Sequence, residues 1–175
     1  MWTLRLATLE DVPQIRTLMD RAIRELMQPF LTAAAIDASL ELMGLDTQLI
    51  IDGTNFAVVE SDRIIGCGGW SRRATLFGGD HTAGRSDAML DPARDAARVR
   101  AMYTDPGHVR RGIGRAILGA CEVAARAEGF FTEELVATLA GEPLYRACGF
   151  TAVEAFEQPT KTGIAVPLVR MTKRL

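Results

Sequence analysis

Three arginines and two glycines crowd into the run Arg110-Arg111-Gly112-Ile113-Gly114-Arg115, a mixture suited to holding an anion. The residues before it, Val99 to Thr104, place Val99, Ala101 and Tyr103 in alternation with Arg100, Met102 and Thr104, a strand-like pattern. Asp105-Pro106-Gly107 stops that strand, and a helix is expected to open at about Ile113. Backbone N–H groups at a helix start are unpaired and carry partial positive charge, and glycines let a ligand approach them closely. With the formal charge of Arg110, Arg111 and Arg115, the segment Val109–Gly114 reads as a site for an anionic phosphate group. Two common phosphate loops are excluded. Gly107 and Gly112 have P-loop spacing, but Ile113-Gly114 stands where Lys-Ser/Thr is needed; Gly112-Ile113-Gly114 could start a dinucleotide fingerprint, but its third glycine position is Ile117.

A second chemical segment follows about thirty residues on. Glu134 to Leu139 is a short apolar strand candidate. After it, Gly141-Glu142-Pro143-Leu144-Tyr145-Arg146-Ala147-Cys148-Gly149-Phe150 has a proline suited to a first helical turn and a glycine suited to a helix stop. Together, Thr104-x-Pro106-x-x-Val109-x-x-Gly112-x-Gly114 and Leu144-Tyr145-x-x-x-Gly149-Phe150 resemble the acetyl-CoA loop and the tyrosine motif of the GCN5-related N-acetyltransferases. Thr104 replaces an apolar residue of the family pattern, Val109 replaces Gln or Arg, and the asparagine often found near Ala140 is missing.

The resemblance implies acetyl-CoA as cosubstrate, with no metal. Its pyrophosphate would lie on the backbone of Val109–Gly114 beside Arg110, Arg111 and Arg115. Its pantetheine arm would run beside Met102, Tyr103 and Thr104 like an added strand. The Met102 N–H would polarise the thioester carbonyl, and Tyr145 would give a proton to the departing thiolate. The implied reaction is direct acetyl transfer to a primary amine of a small molecule or protein. The alternatives are a non-catalytic CoA-binding or sensing domain and an unrelated nucleotide- or phosphate-binding protein. The family also implies a homodimer, with Ala152–Phe156 and Val166–Met171 as possible edges.

An acceptor amine must be neutral to attack, and a lysine-like amine has a pKa near ~10.4. A base or a proton-accepting water is therefore needed. Glu60, Asp105, Glu133, Glu134 and His81 are the candidates, and each is more often a solvated surface group. His108 reads as a loop residue and Tyr103 as a structural strand residue. Neither histidine has a spaced partner for a metal site, and no nucleophile motif such as Gly-x-Ser-x-Gly is present.

Surrounding elements must position these groups. Leu4 and Leu6 mark a first strand. Thr8 and Asp11 have capping-box spacing, and apolar residues from Val12 to Leu26 recur at helical intervals before Pro29. Thr32 to Met43, stopped by Gly44, predicts a second helix. Phe56–Glu60 and Ile64–Trp70 flank Ser61-Asp62-Arg63, a hairpin signal. Arg72 to Ala96 is irregular, either a solvated excursion or a substrate-facing lid. Ile113 to Gly129 predicts a helix with small residues for close packing. Ala152–Phe156 and Val166–Met171 close the chain as an antiparallel pair. The expected order is β-α-α-β-β-β-α-β-α-β-β over one domain, residues 1–175. This is a mixed α/β fold whose family counterpart has a mostly antiparallel sheet flanked by helices.

Composition sets the outer bounds. A hydrophobic share of 48% and a charged share of 24% are those of a globular protein. The formal charge of −2 gives no global field for nucleic acid, so the local basic cluster points to a small anion. Cys67, Cys121 and Cys148 are odd in number and lack metal-ligand spacing, which suggests a reducing, cytoplasmic setting. No apolar run approaches the ~20 residues of a membrane span, and the N-terminus goes straight into a strand pattern rather than a secretion signal.

Overall fold

The computed structural model describes residues 1–175. Seven strands form one sheet: β1 (Thr3–Leu6), β2 (Asn55–Glu60), β3 (Arg63–Ser71), β4 (Ala97–Thr104), β5 (Thr132–Thr138), β6 (Thr151–Pro159) and β7 (Ala165–Arg174). Five helices flank it: α1 (Val12–Leu26), α2 (Ala33–Ser39), α3 (Thr47–Ile51), α4 (Ile113–Ala127) and α5 (Glu142–Ala147). The strand order is β1-β2-β3-β4-β5-β7-β6. Every pairing is antiparallel except β4 with β5. The expected mixed, mostly antiparallel fold is therefore present.

Alternation along the central strands sorts side chains onto two faces. Ala57 and Cys67 pack with Ile15, Leu18 and Met19 of α1 on one face. Val58, Ile65 and Trp70 pack with Ile113, Ile117 and Cys121 of α4 on the other. The β2–β3 hairpin turns through Ser61 (φ 49°) and Asp62 (φ 61°), the two left-handed residues that a tight primed turn needs. Thr8 and Asp11 do cooperate: the Thr8 N–H donates to Asp11 Oδ2 at 2.8 Å, and Arg5 clamps the same carboxylate at 2.7 and 2.8 Å. They cap a 3-10 turn, Leu9–Asp11, that leads into α1.

Three departures from the sequence reading have local causes. The second helix ends at Ser39 rather than Met43. Ser39 Oγ donates back to Ile36 O at 2.7 Å, and the Leu40 and Glu41 amides reach only three residues back, so the helix tightens into turns. The helix α3 was not expected, because its five residues are too few to show a helical period. Asp46 caps it by accepting from the Gln48 N–H at 3.2 Å. The closing strands are longer than expected, since β6 is an exposed edge paired along most of β7, and its added Glu157-Gln158-Pro159 carry no apolar alternation.

One feature of the sheet matters most for function. The parallel strands β4 and β5 are in register only at Ala97↔Glu133 and Arg98↔Glu134. There Glu134 bridges Arg98 and Arg170, the latter at 2.6 Å, as an ionic clip between three strands. Beyond it the strands part, and the side of β4 from Val99 to Thr104 that faces β5 has no strand partner.

Candidate active site

The parting of β4 and β5 opens a cleft of about 700 Å3. Val99–Thr104 forms one wall, and Val136 and Thr138 of β5 with Tyr145 of α5 form the opposite one. The loop before α4 closes one end. The strand β4 is bulged within this wall. Cys67 opposes Tyr103 and Gly69 opposes Arg100, so Ala101 and Met102 together face the single residue Gly68. Ala101 takes φ 54°, a left-handed conformation that strains an alanine. The bulge re-aims the backbone at Ala101–Met102, midway along the cleft wall.

At the loop end, a 3-10 turn over Pro106–His108 is capped by Asp105, whose side chain accepts from the Gly107 N–H at 2.9 Å. After that turn the amides of Val109 through Arg115 have no acceptor within the protein, the next bond being Ala116 N–H to Gly112 O at 3.0 Å. Arg110 (φ 64°) and Gly112 (φ 80°) are left-handed and curl this row of donors into a concave turn. A Cβ on Gly112 would meet no protein atom within 4 Å, so the space in front of it is open to a ligand. The glycine at 114 has a different reason: its Cβ would lie 2.6 Å from Leu144 Cδ2, so Gly114 lets α5 pack against the start of α4. The first turn of α4 holds no acidic residue, although acids favour a helix start and arginines oppose it. This inverted charge suits an anion docked there, and the donors and open space fit a pyrophosphate.

The predicted loop residues divide in two. Val109, Arg110, Gly112, Ile113, Gly114 and Arg115 all line the cleft, and neither Arg110 nor Arg115 is paired with a carboxylate. Arg111 does not line it: its guanidinium forks onto Glu60 at 2.7 and 3.0 Å. Glu60 also faces the Met1 ammonium at 3.3 Å and His108 Nε2 at 3.5 Å. The Arg111 hydrogen bonds bring the Glu60 carboxyl down to a pKa of about 2.

Met102, Tyr103 and Thr104 line the cleft as expected from their strand. Tyr145 stands across from them, 8% exposed, with its ring edge-on to Phe150 at 5.9 Å. Its hydroxyl makes no hydrogen bond within the protein, and burial pushes its pKa well above the usual phenol value, with the neighbouring Tyr103 adding to the shift. The phenol therefore stays protonated at neutral pH and can donate. Tyr103 is likewise raised by burial.

None of the five candidate bases lines the cleft. Glu60 is held by Arg111 and Glu134 by Arg98 and Arg170. Asp105 is buried, yet it accepts from His108 Nδ1 at 2.9 Å, the Gly107 N–H and Arg21 at 2.7 Å, which keep its pKa low. Glu133 lies inside, away from the cleft, and His81 Nε2 is bonded to Leu40 O at 2.7 Å. His108 does line the cleft, tied to Asp105, a placement its loop position alone did not reveal. Of the two readings of the irregular segment, a solvated excursion or a substrate-facing piece, Leu76-Phe77-Gly78 takes the second by lining the wall. That piece belongs to the irregular segment 72–96, which is anchored by Arg73 on Asp52 at 2.7 and 2.8 Å and by Arg85 on Asp46 at 2.9 Å. No group of three or more His, Cys, Asp or Glu side chains could hold a metal ion, and no helix is long and apolar enough to cross a membrane.

Comparisons with known proteins agree with this geometry. No curated protein sequence matches the chain. Among solved structures, a GCN5-related N-acetyltransferase from Rhodopseudomonas palustris superposes with a TM-score of 0.72 at 17% identity, covering 99% of this chain and 95% of the other. PaiA N-acetyltransferase from Thermoplasma acidophilum, solved in complex with coenzyme A, gives 0.67 at 11% identity, covering 100% and 99%. Ribosomal-protein-alanine N-acetyltransferase from Brucella melitensis gives 0.65 at 18%, covering 99% of each chain. These likenesses establish the fold. The acetyltransferase (GNAT) domain family matches residues 52–152, the stretch that carries β2 to α5 and hence both walls and the anion loop. The chain therefore belongs to the GNAT acetyltransferase family and is an acyltransferase that uses acetyl-CoA.

Proposed function

We propose that the protein transfers the acetyl group of acetyl-CoA directly to a primary amine within the β4–β5 cleft. The observation that carries this reading is the uninterrupted row of unpaired amides from Val109 to Arg115, which opens on the same cleft that Tyr145 lines. Acetyl-CoA, when bound, supplies a thioester-activated acetyl group. The Val109–Arg115 amides, with Arg110 and Arg115, would hold its pyrophosphate, and the open side of β4 at Met102–Thr104 would align its arm. The N–H at Met102, set by the bulge, is assigned to the acyl carbonyl oxygen as negative charge gathers there. Tyr145 is assigned the proton that the leaving sulfur needs. With no carboxylate on the cleft wall and the His108 imidazole tied to Asp105, the proton from the attacking nitrogen is assigned to water. Arg111 contributes through the shape of the loop, by way of Glu60, more than through free charge.

A homodimer and a cytoplasmic setting belong to the same proposal. The exposed edge strand β6 supports the first, and three free cysteines support the second. The test of the reaction is thiol release from acetyl-CoA across a panel of amines, with the acetylated product identified by mass. Amine-dependent release with one acetyl added per thiol is expected. Amine-independent hydrolysis, or no release, would refute it.

A further inference from the structure

The cleft continues past Tyr145 and β4 into a chamber that the acetyl-transfer reading leaves without an occupant. Its walls come from Leu26 at the end of α1, Met27 and Phe30 just beyond it, Met43 after α2, Phe77 of the 72–96 segment and Leu168 of β7. These are apolar side chains from four separate parts of the chain, converging on one space. No aspartate or glutamate lines any part of the cleft. The one guanidinium on the chamber side, Arg100, is already engaged: it pairs with Asp46 at 2.7 Å and donates to Gly78 O. Asp20 and Asp80 lie beyond the wall formed by Ile23, Met43 and Gly44, in a separate hollow of about 260 Å3.

Chemistry follows from this lining. An ammonium group entering the chamber would lose its hydration and find no carboxylate to replace it, so the neutral amine is the form that fits. A second ammonium on the same substrate would meet the same cost again and would have to give up a second proton to enter. An apolar body would instead gain by covering Leu26, Met27, Phe30 and Phe77. Building on the acetyl-transfer reading, we infer that the acceptor is a primary monoamine with an apolar arylalkyl or alkyl body, taken up as the free base. In the transfer, the amine nitrogen bonds to the acetyl carbon as the C–S bond breaks. The nitrogen loses one proton to water, and the sulfur gains one from Tyr145, which is reprotonated by water.

The test compares kcat/KM for 2-phenylethylamine and hexylamine with that for putrescine, spermidine and a lysine-containing peptide, alongside calorimetric binding of acetyl-CoA. The apolar monoamines are expected to lead by at least ~100-fold, the scale of an unpaired buried charge. Leu26→Glu, at a half-buried position on the chamber wall, should narrow that lead by about tenfold or more by giving a second ammonium a partner. Phe30→Glu at the more exposed rim should act in the same direction and guards against a folding defect in the first variant. Diamines or peptide acetylated as well as the monoamines would overturn the acceptor class while leaving acetyl transfer intact. Acetyl-CoA binding with no acetylation of any amine would overturn the transfer reading itself, and the acceptor class with it.

Discussion

The loop arginines are alike in sequence and unlike in circumstance. Arg110 and Arg115 face the cleft without carboxylate partners, whereas Arg111 is forked onto Glu60. Losing Arg110 and Arg115 together should therefore weaken acetyl-CoA binding by ~1–3 kcal/mol, the scale of charge-assisted hydrogen bonds. Losing Arg111 should cost clearly less. Calorimetry on alanine variants at low and high salt checks this, with the double variant's deficit shrinking as salt rises. Equal losses at Arg111 and Arg110 would contradict the assignment. Tyr145 is tested by Tyr145→Phe, which keeps the ring against Phe150 and removes the proton. Turnover should fall ~10²–10⁴-fold, the usual cost of losing a general acid, while acetyl-CoA affinity stays nearly constant. Unchanged turnover with chemistry rate-limiting would reduce Tyr145 to a wall of the cleft. Both groups were legible in the sequence, because glycine spacing and the Leu144-Tyr145…Gly149-Phe150 run are local patterns. The pairing of Arg111 with Glu60 was not, since it joins residues 51 positions apart across two elements.

Elements were read well where periodicity is strong and poorly where it is short. The helices α1 and α4 and the β2–β3 hairpin carry their pattern over many residues. The five-residue α3 has less than two turns in which to show one, and only its Asp46 cap announces it. The β4 bulge is invisible to periodicity because it is one extra residue in an otherwise regular strand. The β4–β5 junction also holds a buried acid, Glu133, with no exposed surface and no hydrogen-bond partner on either carboxylate oxygen. Burial, helped by Glu122 and opposed by Lys173 and Arg126, raises its pKa to about 8. The folded state thus holds the Glu133 proton more tightly than the unfolded chain, whose carboxyl titrates near the ordinary 4.5. Stability from this group is complete below pH 4.5 and is lost as pH rises toward 8, with a limiting slope of about 1.4 kcal/mol per pH unit. Urea unfolding of wild type and Glu133→Gln from pH 5 to 8.5 isolates the effect. The variant should gain on the wild type as pH rises, and a constant difference between the two would contradict the burial argument.

At the scale of the molecule, the sheet is closed at one end by the Arg98–Glu134–Arg170 clip and open at the other, and the opening is the proposed active site. The overall topology was legible because the chain alternates elements in a recognisable order. The open side of β4 was implied by the family resemblance, but the point at which β4 and β5 part was not, since it depends on pairings that form between distant strands. The homodimer is implied by the family resemblance, and of the two edges expected for it only β6 is exposed, since β7 is paired on both sides by β5 and β6. Light scattering at micromolar concentration should give twice the chain mass of 19.0 kDa, and a monomer would remove it. The central claim is that the Val109–Arg115 turn holds the coenzyme's pyrophosphate. Its most direct measurement is calorimetric titration of acetyl-CoA into wild type and Gly112→Val, with circular dichroism to establish that the variant is folded. The valine would strain a φ of 80° and project into the open space before the amides. Loss of acetyl-CoA binding in a folded variant is the predicted result, and undiminished affinity would place the coenzyme elsewhere.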